Sequence, residues 1–159
     1  MTNPTLIEVT RGPLVESVHT GALAIVSATS GVLLALGNIG RPVYPRSAIK
    51  ALQALPLIES GAADHYGFGD DQIALACASH TGTARHTQVA EEMLKAAKLT
   101  ESDLGCGAHA PLGAKAAKDL GRSGGEPTQL HNNCSGKHAG MLATARHLDL
   151  PIKGYWHAD

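Results

Sequence analysis

The chain has 159 residues, 43% of them hydrophobic and 17% charged, with a formal net charge of −1. That composition suits one globular domain of ordinary size and excludes a disordered chain. The near-neutral charge and only 3% aromatic residues exclude a basic nucleic-acid footprint and a base-stacking platform, and no apolar run approaches a membrane span.

Met1-Thr-Asn-Pro-Thr-Leu-Ile-Glu8 has neither the cationic start nor the apolar region of a secretory signal. Cys77, Cys106 and Cys134 are an odd number at no disulfide-framework spacing, which suits free thiols in a reducing compartment. A cytoplasmic protein is the expectation. Leu14-Val-Glu-Ser-Val-His19 reads as a strand of mixed alternation. Leu23-Ala-Ile-Val26 and Val32-Leu-Leu-Ala-Leu36, separated by the turn cluster Ser27-Ala-Thr-Ser-Gly31, predict a β-hairpin. An irregular stretch with Pro42 and Pro45 follows.

Ile49, Leu52 and Leu55 then predict a helix over 47–60, thinned or kinked at Pro56 and stopped by Gly61. Ile73-Ala-Leu-Ala-Cys-Ala78 is a buried segment, helix or strand. Residues 85–98 predict a helix with Val89, Met93, Leu94 and Ala97 inward. A short helix over 114–120, a loop over 121–127 and a last helix over 135–148, with Met141, Leu142, Ala145 and Leu148 inward, complete the chain. Strands first and helices afterwards argue for an α+β fold.

Three polar clusters interrupt this alanine-rich chain. The first is Arg46-Ser47-Ala-Ile-Lys50. Residues i and i+3 share a helix face, so Lys50 can reach the Ser47 hydroxyl and take its proton, if burial or a neighbouring cation brings the lysine toward neutrality. This is the spacing of a serine-lysine acyl-transfer nucleophile, although nine serines and seven lysines produce such pairs by chance. Arg46 is either a surface arginine or a bidentate partner for a substrate carboxylate. The second cluster, Cys77-Ala-Ser79-His80-Thr-Gly82, offers Ser79 as a turn serine or as a second hydroxyl for chemistry. The third is His131-Asn-Asn-Cys134-Ser-Gly-Lys137-His138-Ala-Gly140. An Asn or Ser helix cap accounts for part of it. It does not account for a cysteine and a lysine one turn apart beside two histidines, which leaves a metal site open.

Taken together and in this order, the clusters resemble the Rhizobium-type L-asparaginase family, also called the thermolabile or asparaginase II family. The resemblance runs from about Ile7 to the last residue. It is carried by Glu8-Val-Thr-Arg-Gly-Pro-Leu-Val-Glu-Ser-Val-His19, Pro45-Arg-Ser-Ala-Ile-Lys-Ala-Leu-Gln-Ala-Leu-Pro56, Ala74-Leu-Ala-Cys-Ala-Ser-His80 and His131-Asn-Asn-Cys-Ser-Gly-Lys-His-Ala-Gly-Met-Leu142.

The resemblance implies a fold like that of serine β-lactamases and glutaminases, and hydrolysis of L-asparagine to L-aspartate and ammonia. It implies two serine-lysine pairs, to which Ser47, Lys50 and Ser79 correspond, with Arg46 and His80 as substrate-binding candidates. It also implies a zinc site to which Cys134 and Lys137 contribute. Relatives are about twice as long, so residues 1–159 are expected to be the N-terminal portion of a single asparaginase-like domain, with the second lysine and a further cysteine ligand beyond it. Weak or absent activity alone, and a homo-oligomer or a complementing C-terminal half as partner, follow from that expectation. Two alternatives stand beside it: a non-catalytic remnant or subunit, and a serine amidohydrolase acting on glutamine or a β-lactam.

Overall fold

A computed structural model describes residues 2–157. The chain divides into two units, Met1–Tyr44 and Pro45–Asp159. The first holds two antiparallel hairpins in separate two-stranded sheets. β1 (Thr5–Arg11) pairs with β2 (Leu14–Thr20), and β3 (Leu23–Ser27) with β4 (Gly31–Leu36). The β3–β4 hairpin is the one its apolar runs predict. The β1–β2 hairpin adds a strand that the sequence reading left unassigned. Its two-residue turn is Gly12-Pro13. Gly12 sits at φ +60°, a left-handed value that a side chain would oppose, and Pro13 supplies a fixed negative φ after it. The registers pair Val9 with Ser17 and Ile25 with Leu34, the first sheet carrying two irregularities and the second one. No residue of these four strands is buried.

The second unit is helical. A 3₁₀ turn, Arg46–Ile49, runs directly into α1 (Lys50–Gln53), followed by α2 (Leu55–Glu59), α3 (Ala62–His65) and α4 (Asp70–Ala76). The helix expected over 47–60 is therefore three short pieces. Pro56 near the start of α2 has no N–H to continue the ladder from α1, so the chain breaks at Ala54 and restarts. The segment 73–78, open between helix and strand, is helix up to Ala76.

α5 (Ala84–Ala96) begins at an N-cap, Thr83, whose side chain accepts from the His86 N–H. It buries Val89, Ala90, Met93 and Leu94 at the expected spacing. α6 (Ala114–Arg122) runs two residues past its expected end. α7 (Ser135–His147) lies in the middle of the unit and packs against α2, α3, α4 and α5. It is buried almost all round, so its inward face is wider than the expected stripe. Leu142 and Ala145 are buried, but Leu148, just past its end, is 48% exposed.

Small residues let α7 come close to its neighbours. A Cβ on Gly136 would stand 2.5 Å from Leu75 Cγ and 2.6 Å from the Leu75 carbonyl oxygen. The core that results combines Leu57, Leu75, Val89, Met93, Leu94, Leu142 and a set of alanines. The arrangement of helices and small sheets is compatible with the α+β expectation. No helix among the described residues is long and apolar enough to cross a membrane.

Candidate active site

Ser47 lies in the 3₁₀ turn and Lys50 begins α1. In a 3₁₀ turn residues i and i+3 eclipse, which puts both on one side of the backbone. Ser47 is exposed, whereas Lys50 is only 3% exposed. A buried ammonium or amine needs partners, and Lys50 has three. Its Nζ lies 2.7 Å from the Ala78 carbonyl, 2.8 Å from Ser79 Oγ and 3.3 Å from the Asn133 carbonyl. Ser79 Oγ in turn lies 2.8 Å from Ser47 Oγ.

The first two clusters therefore meet. The connection differs from the direct Ser47–Lys50 contact that their spacing suggests: the lysine reaches Ser79, and Ser79 stands between it and Ser47. The cause is that Ser79, just past the end of α4, is presented directly to the Lys50 amine.

The backbone leading into Ser47 is unusual. Arg46 has φ +49°, in the left-handed region that non-glycine residues rarely occupy. Such conformations cost about 1–3 kcal/mol and persist where surrounding structure enforces them. The Arg46 side chain is exposed, and among the described residues it makes no ion pair or hydrogen bond.

His80, the residue after Ser79, is 4% exposed. Its Nδ1 accepts the Gly82 N–H at 3.2 Å, so Nε2 carries the hydrogen and donates to Ser135 Oγ at 2.8 Å. Ser135, fully buried, passes its own hydrogen to the Leu130 carbonyl at 2.9 Å. Burial lowers the His80 imidazole to about 4, with His86, Lys50, His109 and His131 adding to the effect. The ring is therefore neutral at pH 7. Both ring nitrogens are engaged inside the protein: Nε2 ties the Ser79 loop to the start of α7, and Nδ1 closes the loop on Gly82.

The third cluster reaches the serines through its backbone. Asn133 offers its carbonyl to Lys50 Nζ and also to the His80 N–H, 3.2 Å away. Asn132 orders the neighbouring loop: its Nδ2 donates to the Cys106 and Gly107 carbonyls, and its Oδ1 accepts from the Cys134 N–H. His138 is 8% exposed, and burial, aided by Lys137 and Lys50, lowers it to about 4. Its Nδ1 accepts from the Tyr155 hydroxyl at 2.6 Å, while that hydroxyl accepts from the Gly105 N–H at 3.0 Å. Burial pushes Tyr155 up to about 12.

Cys134 and Lys137, the expected zinc ligands, lie one turn apart at the start of α7. Cys134 Sγ rests 3.6 Å from Asn133 Oδ1. Burial pushes the neighbouring Cys106 thiol up to about 11, with Cys134 adding to the rise and Lys137 opposing it. Among the described residues no group of three or more His, Cys, Asp or Glu side chains is arranged to hold a metal ion. A closed zinc site takes four donors, so Cys134 and Lys137 do not make one by themselves.

Sequence reading missed the Asn133 carbonyl, because a backbone atom leaves no mark in a side-chain pattern. It also missed His109, which has no partner at a telling spacing. Among curated proteins no sequence matches the chain. A family model described as L-asparaginase II nevertheless matches residues 7–159, nearly the whole chain, and the chain belongs to that family.

Proposed function

We propose that the chain carries the serine-lysine machinery of an L-asparagine amidohydrolase, which converts the side-chain amide of asparagine to aspartate and ammonia through an acyl-enzyme. Beyond family membership, one observation supports the reading: the unbroken hydrogen-bonded line from Ser47 Oγ through Ser79 Oγ to Lys50 Nζ.

As a free amine, Lys50 has two N–H groups and one lone pair. The Ala78 and Asn133 carbonyls take the two hydrogens, which leaves the lone pair facing Ser79. In that state Ser79 donates to Lys50 and Ser47 donates to Ser79. Ser47 is then the oxygen with its lone pairs unengaged, and it attacks the amide carbon. Its proton passes to Ser79 while the Ser79 proton passes to Lys50, whose ammonium has an acceptor for each of its three hydrogens. The proton returns along the same line to the leaving nitrogen, and ammonia departs. Water then hydrolyses the ester with Lys50 again as the proton acceptor. Arg46 is the candidate for the substrate α-carboxylate. His80, neutral and buried, supports the Ser79 loop.

Labelling with a serine-reactive fluorophosphonate, mapped by peptide mass, tests the assignment alongside ammonia release from asparagine. The expected adduct is on Ser47 and is absent from Ser47→Ala. Label on neither serine overturns the reading. Label on Ser79 that survives Ser47→Ala makes Ser79 the nucleophile. Parallel assays on glutamine and a chromogenic β-lactam separate the substrate classes.

A second reading, a subunit that works only with further polypeptide, is favoured by the strands of the first unit. Leu14 is 72% exposed, Val26 64% and Leu33 62%, a degree of apolar exposure usual for surfaces that pair.

A further inference from the structure

His109 lies in the irregular stretch between the 3₁₀ turn Glu101–Asp103 and α6. Its Nδ1 is 2.7 Å from the Ala110 carbonyl oxygen, and its Nε2 is 3.2 Å from the backbone nitrogen and 3.3 Å from the side-chain Oδ1 of Asn133. A carbonyl oxygen only accepts, so Nδ1 carries the ring hydrogen. Nε2 then has the lone pair and accepts the Asn133 N–H, the shorter of its two contacts, while Asn133 Oδ1 at 3.3 Å is a contact without a hydrogen bond.

Asn133 lies between the 3₁₀ turn Gln129–His131 and α7, where no helical ladder claims its N–H. His109 is the only acceptor for that N–H among the described residues. The carbonyl of the same residue receives both Lys50 Nζ and the His80 N–H. At 3.3 Å the contact to Lys50 is the longest of the three around that amine. A shift of a few tenths of an ångström therefore breaks it first. Breaking it leaves a buried N–H without a partner and frees the amine to turn away from Ser79.

We infer that His109 is a positioning residue: as its Nδ1–H tautomer it holds the Asn133 carbonyl on Lys50 and thereby fixes the amine against Ser79. The inference rests on the reading of Lys50 as proton acceptor given above. It gives a role at the site to a histidine that no side-chain spacing marks.

The experiment compares fluorophosphonate labelling of the unaltered chain, His109→Gln and His109→Ala, each checked for folding by circular dichroism. Glutamine can place an acceptor oxygen near the position of Nε2, and alanine cannot. The expected result is labelling of His109→Ala slowed at least about tenfold, the lower range for loss of a charge-linked hydrogen bond. His109→Gln should label at close to the unaltered rate. Amide hydrogen exchange at Asn133 should quicken in His109→Ala and not in His109→Gln, which a merely structural role would not separate. The imidazole nitrogen shifts of His109 in the unaltered chain should report hydrogen on Nδ1.

Equal labelling in all three chains overturns the inference and leaves the serine-lysine reading standing. Hydrogen on Nε2 overturns it without any variant, so the test survives a variant that does not fold. Failure of the unaltered chain to label at either serine is a different result, which overturns the serine-lysine reading and the inference with it.

Discussion

Replacing Lys50 with methionine keeps most of its buried stem and removes the amine. The Asn133 carbonyl retains the His80 N–H, but the Ala78 carbonyl loses the Lys50 amine. We expect acylation of Ser47 to fall about 10²–10⁴-fold, the usual scale for one acid-base group. Stability to urea should fall by about 1 kcal/mol, the low end for an unsatisfied acceptor, since Ala78 is half-buried. Labelling kinetics and urea titration of the same variant separate the two effects.

His80 makes a second prediction. Folding lowers it from 6.5 to about 4, so between those values the unfolded chain holds a proton that the folded chain refuses. Its contribution is fully present above pH 6.5 and is lost as pH falls toward 4. The loss is roughly 3 kcal/mol at completion. Urea unfolding at pH 7 and pH 4.5 should show it, and His80→Gln should reduce the difference by about half, since His138 is lowered to the same value and keeps its share.

At this scale the side chains that meet in the site were legible as residue types: Ser47, Lys50 and Ser79 each stand out from an apolar chain. Their connectivity was not. The sequence distance from Ser47 to Lys50 suggests a direct contact, and only the placement of the loop after α4 shows that Ser79 intervenes. The roles of Asn133 and His109 run through backbone atoms, which side-chain spacing does not reveal.

Among the elements, the start of α7 determines where Asn133 sits. Gly136→Ala would drive a methyl group into Leu75 Cγ and the Leu75 carbonyl, with gaps of 2.5 and 2.6 Å. One of those atoms is backbone, so α4 and α7 must separate. We expect a loss of about 1–3 kcal/mol from overpacking, and slower labelling of Ser47, because Ser79 follows α4 and Asn133 precedes α7. Thermal melts and labelling rates check both.

α5 was readable from its apolar face, and β3 and β4 pair across the turn between them; α7 also lies close to its expected bounds, although it is buried almost all round rather than on one face. The run from Ser47 to Ser60 misled because Ile49, Leu52 and Leu55 keep helical spacing across a proline that divides the helix. β1 lies in the region read as strands but received no bounds of its own, although Ile7-Glu8-Val9-Thr10 alternates as a strand does, because its turn signal is one Gly-Pro dipeptide.

For the molecule as a whole, the two units differ in how they hold together. The second has a shared core. The first has two separate hairpins with no buried residue in any strand, and a two-stranded hairpin is marginal by itself in water. We expect concentration-dependent self-association by size-exclusion chromatography with light scattering. A charged pair on β4, Leu33→Lys with Val32→Glu, should reduce it. A variant that associates as strongly as the unaltered chain would place the sticky surface elsewhere.

The position of α7 also bears on how the protein is made. Its partners α2, α3, α4 and α5 all leave the ribosome before it does. At the usual 5–20 residues per second, several seconds separate the end of α5 from the end of α7. During that interval Leu57, Leu75, Met93 and Leu94 lack the helix that covers them. The nascent second unit should therefore stay open to protease and to chaperone capture until residues beyond His147 have emerged, and then close around α7.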